Sequence, residues 1–216
     1  MEPEFWHQKW HENQIGFHQT DINPWLLEYW GRLNLCQGDL IFVPLCGKSE
    51  DMTWLVEQGF RVVGVELSEK AIKAYFDKHD ENVTVTSEGS FDVWQSGSIT
   101  IYKGDYFDLE VTHLAGVKAV FYRAALIALK PEMRRRYVQH YLSVGLKGIQ
   151  VLLITLEYDQ SLKNGPPFSV SDDEVSELFQ AGDVTLQKES DVLDENLNFK
   201  KSGHPYLIER AYRITL

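Results

Sequence analysis

Leu40-Ile41-Phe42-Val43-Pro44-Leu45-Cys46-Gly47-Lys48, followed by Arg61-Val62-Val63-Gly64-Val65-Glu66-Leu67, decides the fold. The first run reads as a buried strand that ends in a turn at Gly47. A helix from about Ser49 to Gln58 follows, and the second run is another buried strand closed by a carboxylate. That is a βαβ unit. In parallel sheets ligands sit beyond the carboxyl ends of the strands, so Leu45 to Gly47 and Glu66 are expected to face one crevice from neighbouring strands. An acid at the second strand end is placed to hold a ribose, which points to a nucleoside-containing cofactor.

The missing glycines narrow the choice. A dinucleotide site uses a triple-glycine turn so that backbone can approach a pyrophosphate, and here only Gly47 occupies that turn. A nicotinamide oxidoreductase, which would use the same Glu66 contact, is opposed on that ground. Gly47-Lys48-Ser49 imitates the end of a P-loop, but the glycine required five positions earlier is Phe42, inside the strand. A ribose anchor without a phosphate cradle suits S-adenosylmethionine, whose sulfonium and amino-acid tail carry no phosphate. The bland alternative for Glu66 is a solvated acid at a strand end.

The 216 residues fit one α/β domain with a sizeable core. A formal net charge of -11 argues against nucleic acid as the main partner, because phosphate binding needs a basic face. Small molecules are the expected substrates. No stretch approaches the about 18 apolar residues of a membrane span, and the start Met1-Glu2-Pro3-Glu4 is unlike a signal peptide, so a cytoplasmic location is expected. The two cysteines, Cys36 and Cys46, lack metal or redox spacing; Cys46, beside the expected site, is a candidate reactive thiol.

Residues 1–36 form an aromatic N-terminal arm, with Phe5, Trp6, Trp10, Phe17, Trp25, Tyr29 and Trp30, and residues 37–216 form the α/β body; together they make one structural domain. Within the body, Glu69 to His79 reads as a helix and Asn82 to Trp94 as short extended pieces around Gly89. Ser98 to Tyr102 is a strand leading into Gly104-Asp105-Tyr106-Phe107-Asp108, and Lys118 to Tyr122 is a strand leading into Arg123. Pro131 opens a helix to Leu146. Gly148 to Tyr158 reads as the longest and central strand. Ser171, with Glu174 three residues on, caps a helix to about Gln180. Val184 to Ser190 and Tyr206 to Ile214 alternate as an antiparallel pair. This order fits the mostly parallel seven-stranded, Rossmann-like sheet of the S-adenosylmethionine-dependent methyltransferases, with a C-terminal antiparallel hairpin.

A closer resemblance follows from Trp6-His7-Gln8-Lys9-Trp10, Gly16-Phe17-His18-Gln19, Pro44-Leu45-Cys46-Gly47-Lys48, Val62-Val63-Gly64-Val65-Glu66, Arg123-Ala124-Ala125-Leu126 and Gly165-Pro166-Pro167-Phe168. Across nearly the whole chain these runs resemble the thiopurine S-methyltransferase family, its bacterial members in particular. The resemblance implies a monomer that moves a methyl group from S-adenosylmethionine to the sulfur of thiopurines and other thiols, releasing S-adenosylhomocysteine. Reduced selenium and tellurium species are further acceptors left open by the sequence. A non-catalytic S-adenosylmethionine-binding module is the rival class.

Residue by residue, the resemblance places Trp10, Leu45, Glu66, Asp105, Tyr106 and Arg123 around the cofactor. Glu66 would accept the ribose hydroxyls, Asp105 the adenine amino group, and Tyr106 would stack on the base. Trp6, Trp10 and Phe17 would form an aromatic lid; the bland reading of Trp10 is a core anchor. Arg123 borders cofactor and acceptor and would steady an anionic sulfur, no strong general base being required. A second basic residue is expected near the C-terminal hairpin, where only Lys200 and Lys201 are on offer. His7 and His11 stand four apart, with His18 beyond, but no third ligand of fixed spacing makes them a metal site. His18 is instead a candidate to assist removal of a thiol proton.

Overall fold

β1 (Leu40–Pro44) and β2 (Arg61–Glu66) pair in parallel with Pro44 opposite Val65, and α3 (Glu50–Glu57) crosses between them. Ser49 starts α3 by accepting the Asp51 N–H, so the helix begins two residues after the Gly47 turn. The computed structural model describes residues 3–16, 18–79, 82–145 and 148–216.

Ahead of this unit lie α1 (Pro3–His11) and α2 (Pro24–Tyr29). After it come α4 (Glu69–His79), β3 (Thr84–Glu88), β4 (Phe91–Ser96), β5 (Ile99–Lys103), β6 (Val117–Tyr122), α5 (Ala125–Ala128), α6 (Pro131–Ser143), β7 (Gln150–Glu157), α7 (Asp172–Leu178), β8 (Asp183–Asp191), α8 (Leu197–Lys201) and β9 (Ile208–Thr215). One mixed sheet has the order β3-β4-β5-β2-β1-β6-β7-β9-β8, with β5 to β7 parallel along its middle.

The sheet has nine strands where seven are expected. The additional two are the hairpin β3–β4, folded back antiparallel onto β5 from the segment read as loose extended pieces. β7 is neither central nor longest: β1 stands at the middle and β8 is longer. Its run of buried residues, 151 to 155, arises because layers cover both faces of β7, not because it is the middle strand. The helix at 131 ends at Ser143 and that at 172 at Leu178, each shorter than its apolar pattern.

Two apolar layers sandwich the sheet. One carries Phe42, Val120, Leu153, Tyr137 and Tyr212; the other packs α2, the turn after it and α3 through Leu26, Trp30, Met52 and Leu55 against Ile41, Phe121 and Ile154. The arm's Trp25, Tyr29 and Trp30 therefore belong to the core of the second layer.

Candidate active site

The strand order reverses between β1 and β6, so the loops leaving those two strands diverge and open a crevice at their carboxyl ends. Two backbone outliers flank it. Leu45 (φ 48°) follows β1 and Ala124 (φ 63°) follows β6, both in the left-handed region. The other non-glycine residues there among those described, Asn13 and Asn34, are of a type that tolerates it.

Glu66 ends β2 and binds across the β1 loop. Its Oε2 accepts the Gly47 N–H and its Oε1 the Ser68 N–H, each at 2.8 Å. The side chain is buried, and burial raises its pKa against the opposing pull of those backbone N–H groups. A carboxylate has about four acceptor sites, so after the Gly47, Ser68 and Leu67 N–H groups capacity remains for a ribose hydroxyl. This acceptor thus fits the ribose of S-adenosylmethionine. Gly47 itself adopts φ 55°, and a Cβ there would stand 3.3 Å from the ring of Trp10, which is 5% exposed. The helix α1 can lie this close to the turn because residue 47 has no side chain.

Two hollows extend to either side. One, about 410 Å³ counting space open to solvent, is walled by Trp10, His18, Leu45, Lys48, Asp51 and Arg123. The other, about 770 Å³ on the same count, is walled by His7, His11, Leu67, Ser68, Lys70 and Lys103. α1 contributes Trp10 to the first and both its histidines to the second, and Lys70 Nζ holds it by donating to the His11 carbonyl at 3.1 Å.

Arg123 is anchored rather than loose. Its Nε donates to Asp51 Oδ2 at 2.9 Å and its Nη2 to Ser49 Oγ at 3.3 Å, while Nη1 has no hydrogen-bond partner among the described residues. Asp51, 1% exposed, also accepts the Asn23 N–H at 2.8 Å and the Ser49 hydroxyl at 2.7 Å. Asn23 in turn caps α2. One buried carboxylate therefore joins the arm, the start of α3 and the crevice arginine. His18 lies opposite, half-buried; burial and the Lys48 and Arg123 cations hold its pKa below the ordinary imidazole value, against Glu50. It is a neutral acceptor at pH 7.

Other expected positions fall differently. Tyr106 is turned into the core: it stacks on Tyr137 with ring centroids 4.1 Å apart, and its hydroxyl donates to the Tyr137 carbonyl at 3.3 Å. The Asp105 carboxylate caps the next turn by accepting the Phe107 N–H at 2.9 Å, which fixes that inward orientation. Tyr106 thus offers no open face to a base. Trp6 packs edge-on against Phe5 and is half-buried, outside both hollows. Phe17 lies outside the described residues. Lys200 is exposed and paired with Asp194 at 2.7 Å, and Lys201 is exposed beside it, so neither reaches the crevice wall. Cys46 is buried with its Sγ packed against Gly64, and burial pushes its thiol well up; it is not a reactive cysteine.

Asp51, Ser49 and Lys48 were not singled out from sequence for the site. The available signal was an acid in the first turn of the helix directly after the glycine turn, which becomes buried only when a cation meets it.

The fold and this crevice define the class of Rossmann-like S-adenosylmethionine-dependent methyltransferases. A methyltransferase of this class from Anabaena variabilis superposes with a TM-score of 0.66 at 13% identity, over 99% of this chain and 94% of its own. A 1,6-didemethyltoxoflavin-N1-methyltransferase from Burkholderia thailandensis, solved with S-adenosylhomocysteine, gives 0.62 at 13% identity over 99% and 87%. The sequence profile of the thiopurine S-methyltransferase family matches residues 1–216, and the chain belongs to that family. A thiopurine S-methyltransferase of Pseudomonas entomophila is 47% identical over the full length of both chains. A probable one of Yarrowia lipolytica is 46% identical over 99% of this chain and all of its own.

Proposed function

We propose that the protein transfers the methyl group of S-adenosylmethionine to the sulfur of thiopurines and other small aromatic or aliphatic thiols, with reduced selenium and tellurium species as further acceptors in detoxification. The observation that carries this is the buried Glu66 carboxylate at the end of β2, beside a one-glycine turn and across from an anchored Arg123, in a chain of this family. When bound, the cofactor supplies an electrophilic methyl group on a sulfonium.

The protein's part is binding, alignment and exclusion of water. Glu66 would take the ribose, and the Leu45–Gly47 turn would lie along the cofactor. Asp105, whose second carboxylate oxygen is left over from its cap, is the group for the adenine amino function. Trp10 closes over the turn, and an aromatic face tolerates a sulfonium through cation–π attraction. Arg123, held by Asp51, steadies sulfur as an anion, and aligning the two reactants supplies up to about 7–11 kcal/mol of the barrier. The arm, residues 1–36, packs on the body, residues 37–216, and its Trp10 and His18 would border the acceptor. The enzyme works as a cytoplasmic monomer on small molecules; its net charge of -11 disfavours nucleic acid.

The test is transfer of label from S-adenosylmethionine to a thiopurine, an aromatic thiol, an aliphatic thiol and a selenium compound, run beside Glu66→Ala. Transfer that collapses in the variant supports the assignment. A folded protein that binds the cofactor through Glu66 yet methylates no acceptor is a binding module instead.

A further inference from the structure

Glu209 stands on β9 opposite Leu156 of β7 and Ser190 of β8. It alternates with Ala211, which packs in the α2–α3 layer with Phe121 and Ile154. Arg123, two residues beyond Phe121, meets Asp51 of α3 on that same face. Phe121 is opposite Leu152, and Ala211 opposite Ile154, so Arg123 and Glu209 share one sheet face at the carboxyl end of β6 and β7. Two strand spacings, roughly 9.6 Å, and two residues of rise, roughly 6.6 Å, separate their backbones. Over that span the Arg123 charge still acts on the Glu209 carboxyl, and the hollow walled by Arg123 opens on the same sheet face.

Unlike Arg210 beside it, Glu209 has no side-chain partner among the described residues. Arg210, on the opposite face, takes both Glu157 and Glu189, whereas the Glu209 carboxyl makes no hydrogen bond or ion pair among the described residues. It is half-buried. Burial pushes its pKa up to about 7; Arg123 opposes this from the loop after β6, and Glu195, from the turn before α8, adds to it. Its register partners Leu156 and Ser190 carry no charge.

An aliphatic thiol with a pKa near 8.5 is only a few per cent thiolate at neutral pH, so such an acceptor arrives protonated. The other crevice groups are poor recipients for that proton. Glu66 is the group for the ribose hydroxyls, Asp51 is paired with Arg123, and the His18 imidazole is made less basic by burial and by the Lys48, Arg123 and Lys78 cations. Building on the methyl-transfer reading above, we propose that Glu209 accepts the proton of thiols that enter protonated. The S–H bond breaks, an O–H bond forms on the Glu209 carboxylate, and the electron pair stays on sulfur as a thiolate beside Arg123. The proton passes to solvent after turnover.

Glu209→Gln is the test, with Glu209→Asp as the variant that keeps an acid. The loss in kcat/KM should grade with acceptor acidity: about 10²–10⁴-fold for an aliphatic thiol and under about tenfold for an acidic aromatic thiol. The limb of the wild-type pH profile near 7 should vanish with Gln and return, displaced, with Asp. An aromatic thiol whose thiolate absorbs in the near ultraviolet gives an independent readout when bound with S-adenosylhomocysteine. Its apparent pKa in that complex should differ between wild type and Glu209→Gln. Equal losses for all acceptors, or an unchanged thiol titration, would overturn the proposal. Failure of wild type to methylate any acceptor would instead sink the methyl-transfer reading, and the thiol titration would still decide the proton step.

Discussion

Replacing Asp51 with Asn tests whether one carboxylate organises the crevice. Asp51 Oδ1 accepts the Asn23 N–H, and Oδ2 accepts from Ser49 Oγ and Arg123 Nε. An amide has one oxygen, so its NH₂ must oppose either the Asn23 N–H or the Arg123–Ser49 pair. Arg123, with its side chain 13% exposed, also loses its counter-ion. Breaking a buried pair by removing one partner costs about 3–5 kcal/mol. Because Arg123 borders an open hollow and water can reach it, the lower figure applies, about 3 kcal/mol. At about 2–4 °C per kcal/mol for a chain of this size, Tm should fall by about 6–12 °C. Thermal unfolding of Asp51→Asn, Arg123→Met and the double variant completes a cycle, and the pair should couple by 1.5 kcal/mol or more, on the order measured for contacting partners. Affinity for S-adenosylhomocysteine should weaken as well, since Asn23 and the arm lose their tether. Additive effects on Tm with affinity unchanged would refute the idea that Asp51 links arm and arginine.

Glu66→Gln should separate stability from binding. A buried carboxyl with a raised pKa contributes stability below its unfolded pKa and loses it as pH rises, so wild type carries that cost at pH 7. Glutamine removes the cost but sets its NH₂ against a backbone N–H, at about 1–3 kcal/mol, so Tm should move by only a few degrees. Titration calorimetry with S-adenosylhomocysteine should show affinity down about 100-fold; an unchanged Kd would remove Glu66 from the ribose. Tyr106→Phe should lower stability by about 1 kcal/mol through the lost bond to Tyr137 while leaving cofactor affinity within about twofold, and a large affinity loss would return Tyr106 to the site. For Glu209, the folded pKa near 7 predicts that wild type loses up to about 3 kcal/mol as pH rises from 4.5 to 7. Urea unfolding across that window should show a shallower fall for Glu209→Gln, and parallel curves would rule the group out.

Much of the sheet and of the cofactor side was legible because it is encoded locally. The β1 run, the Gly47 turn, Ser49 and the terminal Glu66 fall within one short stretch, and the Ser171 cap with its N–H from Glu174 is a three-residue signal. The β3–β4 hairpin was less so. All five residues of β3 are exposed at the sheet edge, so no apolar alternation marks the strand. Tyr106 was misplaced for a different reason: the Asp105 cap sets its direction, and sequence spacing says nothing of which way a side chain leaves a turn. The Asp51–Arg123 pair joins residues 72 apart, and Glu209 comes to the sheet face of Arg123 only through the register of β9 on β7. Such contacts arise from topology and have no local pattern.

Leu45 and Ala124 hold left-handed backbone angles at about 1–3 kcal/mol each, where glycine would rest without steric penalty. Glycine would release that strain unequally: at 124 it gives up one methyl group, whereas at 45 it also removes a side chain packed against the core. The wall after β6 is therefore the one that substitution can slacken cheaply, and the wall after β1 is locked by its own packing.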